Sequence, residues 1–304
     1  MFELNPASSW PGIKAGTCVR LLSPVGLYPS RVAFRTPEVA IVVTPGVIAL
    51  VTRFSSVSPP EEYFYSEVEF LSAFEVRALA ATMLSRKHET GAMSLYPVVA
   101  HYVDLNANLD LSKMSVLRGL LGGLLSQHAE DQRWSGAHKP PCSGGRPYDF
   151  NEYSEIDKRR FGRLLRMIDA EDHLLIRGLG ALIKAAMLNC HQEFLEHACM
   201  ALWVSLDASF RILLREMRKE GYVNPTAKDA GELLDEVFDN EYDSGGFFAD
   251  FYEERIKTIH PESRFGVYPA APLNADEYYQ LEASLRPLYE YLITGHVDKA
   301  LKGH

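Results

Sequence analysis

The 304-residue chain contains only four cysteines, and none of them forms a CxxC pair. A dense disulfide framework is therefore excluded, and scattered thiols favour a reducing, cytoplasmic setting. The longest apolar stretch, residues 39–51, is interrupted by Thr44-Pro45-Gly46 and is too short to span a bilayer. The N-terminus lacks the basic start and apolar core of a signal peptide. We therefore expect a cytoplasmic protein that has no membrane anchor.

Sequence motifs for common enzyme chemistries are also absent. The chain has no Walker loop, GxGxxG fingerprint, GxSxG elbow or HExxH pair. The nearest approach to a metal site is the set Cys190, His191, His197 and Cys199. At about 100° per residue, Cys190 and His197 share a helix face, whereas the other two point elsewhere, and a zinc site needs convergent ligands. We predict no metal and no cofactor.

Charge is distributed unevenly along the chain. Residues 1–150 carry 13 Lys and Arg against 13 Asp and Glu, and residues 151–304 carry 18 against 27. The second part therefore holds the whole net charge of −9. This sign argues against broad, sequence-independent nucleic-acid binding, while a small local basic groove stays compatible with it.

Residues 1–130 are predicted to form a small β-rich domain with added helices. Short runs rich in Val, Ile and Leu, separated by Pro and Gly, predict strands at 17–22, 31–35, 39–43 and 47–54. Their nearly continuous apolar character indicates that both faces of the sheet are covered. Ser58-Pro59-Pro60-Glu61-Glu62 supplies an N-cap and first turn, and helical spacing then predicts a helix to about Lys87. A second helix is predicted at roughly 112–128, and residues 95–105 are either a strand or a buried connection.

Residues 131–150 are rich in Gly, Pro and Ser and predict a linker. Residues 151–304 then predict an all-helical bundle, so that the fold class is α+β. The helices are expected at 152–168, 172–188, 191–219, 226–239, 247–259 and 274–294. The helix at 191–219 has a broad apolar face and suits a central position. The last helix is bounded by Asn274 as N-cap and by Gly295 after its end.

Phe247, Phe248, Phe251 and Tyr252 lie on one face of the helix predicted at 247–259. Such a face can stack nucleic-acid bases, but core packing is the more common role of an aromatic stripe at this spacing. We therefore predict that these side chains belong to the core.

An arginine and a histidine near the end of the same helix form the best candidate site. Tyr252-x-x-Arg255-x-Lys257-x-Ile259-His260 is similar to the Arg-x4-6-His signature of the HEPN superfamily. The chain holds three such pairs, the others being Arg133…His138 and Arg166…His173. Only Arg255…His260 follows the long helix and precedes the capped terminal helix. Residues 190–295 resemble a HEPN domain in this order of elements.

The resemblance implies an endoribonuclease that needs no metal, in which the 2′-hydroxyl of RNA attacks the adjacent phosphate. His260 would move protons near neutral pH, and the guanidinium of Arg255 would hold phosphate charge. Lys257 and Arg264 are the expected RNA-binding cations. Pro261 disfavours helical geometry at His260 and so ends the helix there. In this family two such motifs commonly meet across a dimer axis, so a homodimer is expected.

Three hypotheses stay open. The first is a metal-independent endoribonuclease of the toxin or antiviral type. In this hypothesis residues 1–150 act as a sensor or restrain the nuclease. The second is a catalytically inactive HEPN-like module for dimerisation and for RNA or protein binding, which Ile256 directly after the arginine and the acidic half favour. The third is an unrelated metal-dependent hydrolase, for which the sequence offers no ligand set.

Overall fold

The structure, a computed structural model, describes residues 4–6, 16–26, 32–37, 39–44, 47–54, 71, 73–85, 93–104, 109–130, 157–189, 192–238, 248 and 275–297. The chain divides into two compact units, Met1–Gly162 and Arg163–His304, which are described separately. A sheet characterises the first unit and helices the second, which confirms the α+β class. The linker predicted at 131–150 lies outside the described residues, so the domain boundaries expected there stay a prediction.

Within the part of the chain that the structure describes, six antiparallel strands form one sheet in the order β1-β6-β2-β5-β4-β3. They are β1 (Leu4–Pro6), β2 (Gly16–Gly26), β3 (Val32–Arg35), β4 (Val39–Thr44), β5 (Val47–Phe54) and β6 (Met93–Asp104). The four predicted strands are confirmed, and the ambiguous stretch near residue 95 is the strand β6. The strand β1 was not predicted, because three residues carry no periodic signal.

The longer extent of β2 has a local explanation. The strand pairs with β5 only as far as Leu22, and a register shift against β6 follows between Leu22 and Ser23. Pro24 lies beyond that shift, where it pairs with β6 alone. Proline has no N–H to donate, so it is tolerated in this part of the strand, where pairing with β5 has ended and only β6 pairs with it among the described residues. The Ser23-Pro24 pair interrupts the apolar run, so the sequence pattern did not predict this extension of β2.

Both faces of the sheet are covered, as the apolar runs predict. Consecutive residues of β4, from Val39 to Ile41, are all buried, and successive strand residues point to opposite faces. On one face, side chains of the central strands pack against α2 (Met114–Glu130) and the turn before it. That cluster comprises Val19, Ala40, Ala49, Val51, Leu109, Leu111, Leu117, Leu120 and Leu121.

The opposite face of the sheet packs against α1 (Ala73–Leu84), which contacts β4 and β5. Arg20 lies in register with Leu50 of β5 and so belongs to this face. Its Nε donates to Oε1 of Glu75 in α1 at 2.5 Å, and both side chains are buried. The helix predicted from a cap at Ser58 to about Lys87 therefore exists over Ala73–Leu84, and most of the residues before Ala73 lie outside the described part.

The remaining helices are α3 (Lys158–Met167), α4 (His173–Leu188), α5 (Leu195–Lys219), α6 (Ala227–Phe238) and α7 (Ala275–Thr294). Each falls within a helix that the sequence predicts. A 3-10 turn, Gln192–Phe194, precedes α5. The helix predicted at 247–259 lies outside the described residues except for Phe248. The division between the two units falls inside α3, which is one continuous helix.

The long helix α5 is the central member of the second unit, as predicted. It packs against α4, α6 and α7, and twelve of its residues are buried. By length and composition α5 could also cross a membrane, but 61% of its most apolar stretch is buried inside the protein. A buried apolar helix of this kind is typical of a bundle core.

Candidate functional site

All four predicted site residues lie outside the described part of the chain. These are Arg255, Lys257, His260 and Arg264. The structure therefore neither brings them together nor separates them. What it does describe is the set of helices before and after them in the sequence.

The helices around this interval end at well-formed caps. After α5, the N–H of Gly221 donates to the carbonyl of Arg218 and the N–H of Tyr222 donates to that of Met217. This pair of hydrogen bonds needs a residue with positive φ, and Gly221 has a φ of +101°. Gly295 also ends its helix, α7, with a positive φ of +69°, and its N–H donates a single hydrogen bond to the carbonyl of Tyr291. The predicted glycine stop at 295 is confirmed.

The start of α6 is fixed by a reciprocal cap between Thr226 and Asp229. The carboxylate of Asp229 accepts from the N–H and the hydroxyl of Thr226, at 2.6 and 2.7 Å. The N–H of Asp229 donates back to the Thr226 hydroxyl at 3.3 Å. These hydrogen bonds lower the pKa of Asp229. Together with Gly221, this cap sets the turn between α5 and α6.

The directions of the helices follow from contacts between named residues. Ser205 of α5 bonds Gly178 of α4, and Arg215 bonds Asp172, so α4 and α5 are antiparallel. Ser205 also contacts Tyr289 of α7. The amide nitrogen of Asn189, at the end of α4, lies 3.5 Å from the hydroxyl of Tyr279 near the start of α7. Because α4 ends where α5 begins, α5 and α7 begin at the same end.

Phe238 and Ala275 bound the interval that contains the predicted site residues, and they lie at opposite ends of α7. The ring of Phe238, which ends α6, lies 6.4 Å from the ring of Tyr291. The helix α7 begins at Ala275, roughly 24 Å from Tyr291 at 1.5 Å per residue. Phe248 is fully buried, and its ring lies 4.8 Å from that of Phe210 in α5. Its burial agrees with the core role predicted for the aromatic stripe, whose other members lie outside the described residues.

The cysteine and histidine set near residue 195 does not form a reactive site where it is described. His197 is exposed, and Cys199 is buried at the start of α5. Burial, with the nearby carboxylates of Glu277 and Glu196, raises the pKa of the Cys199 thiol to about 12. The thiol is therefore protonated at neutral pH and is a poor nucleophile or metal ligand. Within the described residues no group of three metal-binding side chains occurs, while Cys190 and His191 lie outside them.

Several charged groups inside each unit pair with one another, and burial changes the acidity of a thiol. Burial, together with the Glu75 carboxylate, raises the pKa of the Cys18 thiol in β2. Arg163 of α3 donates to the buried carboxylate of Glu290 in α7 at 3.0 Å. Arg215 bonds both Asp172 and Glu216. Paired charges of this kind, whether buried or partly exposed, hold neighbouring elements in place.

The arginines of α3 are the functional candidates that were not among the predicted site residues. From residue 158 to 168 the chain has five Lys or Arg and no Asp or Glu. Arg159 and Arg166 are exposed, and 42% of the Arg163 side chain is exposed. Their i, i+4, i+7 spacing alone would have identified a basic helix face in an otherwise acidic half.

No protein-family model, curated protein or solved structure matches this chain. Its function therefore has to be inferred from its own residues and from the order of its helices.

Proposed function

We propose that the chain is a HEPN-like, metal-independent endoribonuclease whose catalytic residues are Arg255 and His260. The observation that carries the proposal is chain order. The Arg–His pair stands between α6 and a capped terminal helix, after a 25-residue central helix. An isolated Arg–His pair would mean little, since short patterns recur by chance.

The order of elements also favours this pair over the other two. Arg133…His138 falls in the predicted linker. Arg166…His173 joins the last turn of α3 to the first residue of α4, so a helix break separates its members. Only Arg255…His260 has the long helix, the shorter helix and the closing helix in the sequence that the resemblance requires.

The residue types suit cleavage by the 2′-hydroxyl. In this reaction the 2′-oxygen bonds to phosphorus, and the bond from phosphorus to the 5′-oxygen breaks. A base takes the 2′-hydroxyl proton, and an acid gives a proton to the 5′-oxygen. A histidine side chain can serve in both transfers at neutral pH, and His260 is the residue proposed for this role. Arg255 would stabilise the charge on the phosphate oxygens, and Lys257 and Arg264 would position the strand.

A homodimer is part of the proposal. Pro261 disfavours helical backbone at His260, so the His260 side chain need not keep the direction that a regular helix would give it. A site at such a helix end can face its own copy across a two-fold axis. The residues 1–150 would then sense a trigger or restrain the helical unit.

Cleavage of a structured RNA in EDTA tests the proposal. The wild-type protein should cleave, and Arg255→Ala and His260→Ala should each lose at least about 100-fold in rate, as expected when a general acid–base or a phosphate-binding cation is removed. His197→Ala is the matched control, because His197 is an exposed histidine of α5. Cleavage that survives both substitutions contradicts the proposal, and cleavage only with added metal supports a metal-dependent hydrolase. A dimer that never cleaves supports an inactive binding module.

A further inference from the structure

The helix α3 carries a basic stripe on the side opposite its buried face. Arg159, Arg163 and Arg166 are spaced i, i+4 and i+7, so they fall within about 60° of one another around the helix axis. The buried residues centre on the other side, and they are Phe161, Leu164, Leu165 and Ile168. The stripe therefore faces away from the core.

The stripe carries only positive charge, and few acidic residues lie close to it in sequence. The nearest acids in sequence are Asp157, before the helix, and Asp169 and Glu171, after it. Asp157 accepts the backbone N–H groups of residues 159 and 160, at 2.8 and 3.0 Å, and so caps the helix start. Asp169 likewise accepts the N–H of Glu171 at 2.9 Å. These two aspartates are engaged in local turns on the backbone.

The ends of the stripe differ from its middle. Arg163 holds the buried Glu290 at 3.0 Å, which fixes the rotation of α3 on its own core. Arg159 and Arg166 are exposed and lie two helical turns apart, about 10 Å along the axis. Two arginines whose backbones are this far apart can each contact a different phosphate of one polynucleotide strand.

We infer that this stripe, with Arg159 and Arg166 as its contacts, binds the phosphate backbone of single-stranded RNA. The choice of RNA as the polyanion rests on the proposed function. The structure itself argues against a membrane as the occupant. A basic amphipathic helix binds a bilayer by inserting its apolar face, and in α3 that face is buried in the protein.

A binding experiment with the full-length protein tests this inference. The probe is a fluorescently labelled 20-nucleotide 2′-O-methyl RNA, which cannot be cleaved by 2′-hydroxyl attack, and anisotropy is measured in EDTA at several salt concentrations. The variant is Arg159→Gln/Arg166→Gln. The control is Arg177→Gln/Arg218→Gln, which removes two exposed charges from α4 and α5. Glutamine and arginine have similar helix propensities, so circular dichroism should stay unchanged.

We expect the α3 variant to bind at least 10-fold more weakly at about 0.1 M salt. Its slope of log affinity against log salt should be shallower by about 1.4, the value for two lost contacts to a single strand. The control should lose less than 3-fold. Equal losses in both variants, or no binding by the wild-type protein, would overturn the inference. So would an arginine-dependent preference for phosphatidylserine vesicles over RNA.

The outcome is separable from that of the proposed function. Loss of binding in the α3 variant, with no cleavage of ordinary RNA by the wild-type protein, would support the stripe and contradict the ribonuclease. Cleavage that depends on His260, with unchanged binding in the α3 variant, would support the ribonuclease and overturn the stripe.

Discussion

The hydroxyl of Tyr289 in α7 donates a hydrogen bond to the backbone carbonyl of Ser205 in α5 at 2.7 Å. The hydroxyl of Ser205 in turn donates to the carbonyl of Gly178 in α4 at 2.9 Å. Both side chains are fully buried, and burial raises the pKa of Tyr289, so its phenol stays protonated at neutral pH. The three central helices of the second unit are thus joined by one short chain of hydrogen bonds.

Replacing Tyr289 with phenylalanine removes one bond of this chain and leaves a buried carbonyl with a weaker set of partners. We expect Tyr289→Phe to lower the free energy of unfolding by about 1–2 kcal/mol. The control is Tyr279→Phe, since Tyr279 is 47% exposed and its hydroxyl lies 3.5 Å from the amide nitrogen of Asn189. Urea denaturation measures both, and an equal effect of the two substitutions would contradict a special role for Tyr289.

Gly178 is required for the close approach of α4 to its neighbours. A Cβ on this residue would lie 2.1 Å from the Tyr289 hydroxyl oxygen and 2.9 Å from the Cβ of Ala208. We expect Gly178→Ala to destabilise the protein by about 1–3 kcal/mol, as overpacking of a core does. Gly122→Ala is the control, since Gly122 is exposed in α2 and a Cβ there would meet nothing within 4 Å. Gly122→Ala should stabilise the protein by up to about 1 kcal/mol. Thermal denaturation measures both variants, and a destabilisation or a stabilisation by both substitutions alike would contradict the packing argument.

The buried pair of Arg20 and Glu75 ties α1 to the sheet. We expect Arg20→Met or Glu75→Leu singly to cost about 3–5 kcal/mol, because each leaves one buried charge without its main partner. The double variant should cost less than either single one, since no charge is then left behind. The exposed pair Lys228 and Glu232, 3.6 Å apart, is the control, and its loss should cost no more than about 0.5 kcal/mol. A double variant that loses the sum of both single effects would contradict this coupling.

Asp172 gives the helical unit a pH dependence. Its carboxylate bonds Arg215 at 2.6 Å and caps α4 through the N–H of Leu175, and these contacts lower its pKa from the ordinary 3.8. A depressed pKa in the folded state stabilises the protein above pH 3.8, and this contribution is lost as the pH falls through the lower folded value. Asp172→Asn keeps a side-chain oxygen for the cap but removes the charge.

We therefore expect Asp172→Asn to be less stable than the wild-type protein at pH 7 by about 0.5–1 kcal/mol, because Arg215 is partly exposed. The difference should shrink between pH 4 and the acid limit at which the wild-type protein is still folded. Urea titrations at pH 7, 4 and 3 give the comparison. A difference that stays constant over this range would show that the carboxylate charge is not responsible.

Much of the fold was predictable because the patterns are local. Apolar runs bounded by Pro and Gly located β3, β4 and β5, and 3.6-residue spacing located the helices of the second unit. The strand β1 and the extension of β2 past Leu22 were not predictable, because they depend on pairing with β6, which is distant in sequence. The partnership of Arg20 with Glu75, 55 residues apart, is likewise a property of the tertiary structure.

The candidate site divides in the same way. The glycine stop at 295 was predicted from the sequence, and the cap at Thr226 was found in the structure; they bound the helices on either side of the Arg–His segment. The catalytic assignment of Arg255 and His260 stays a prediction, because it rests on helix order and residue chemistry. The spacing of the α3 arginines is visible in the sequence, but their exposure needed the structure, since burial of Phe161 and Leu164 shows that the basic side of that helix faces outward.

The most direct test of the central claim is the chemistry of the RNA that the protein releases in EDTA. The account predicts 5′ products that end in a 2′,3′-cyclic phosphate, with no cleavage of an RNA that carries a 2′-deoxy sugar at the scissile position. His260→Ala should yield no such products, while His197→Ala should match the wild-type protein. Cleavage at the 2′-deoxy position, or cyclic-phosphate ends that persist in His260→Ala, would contradict it.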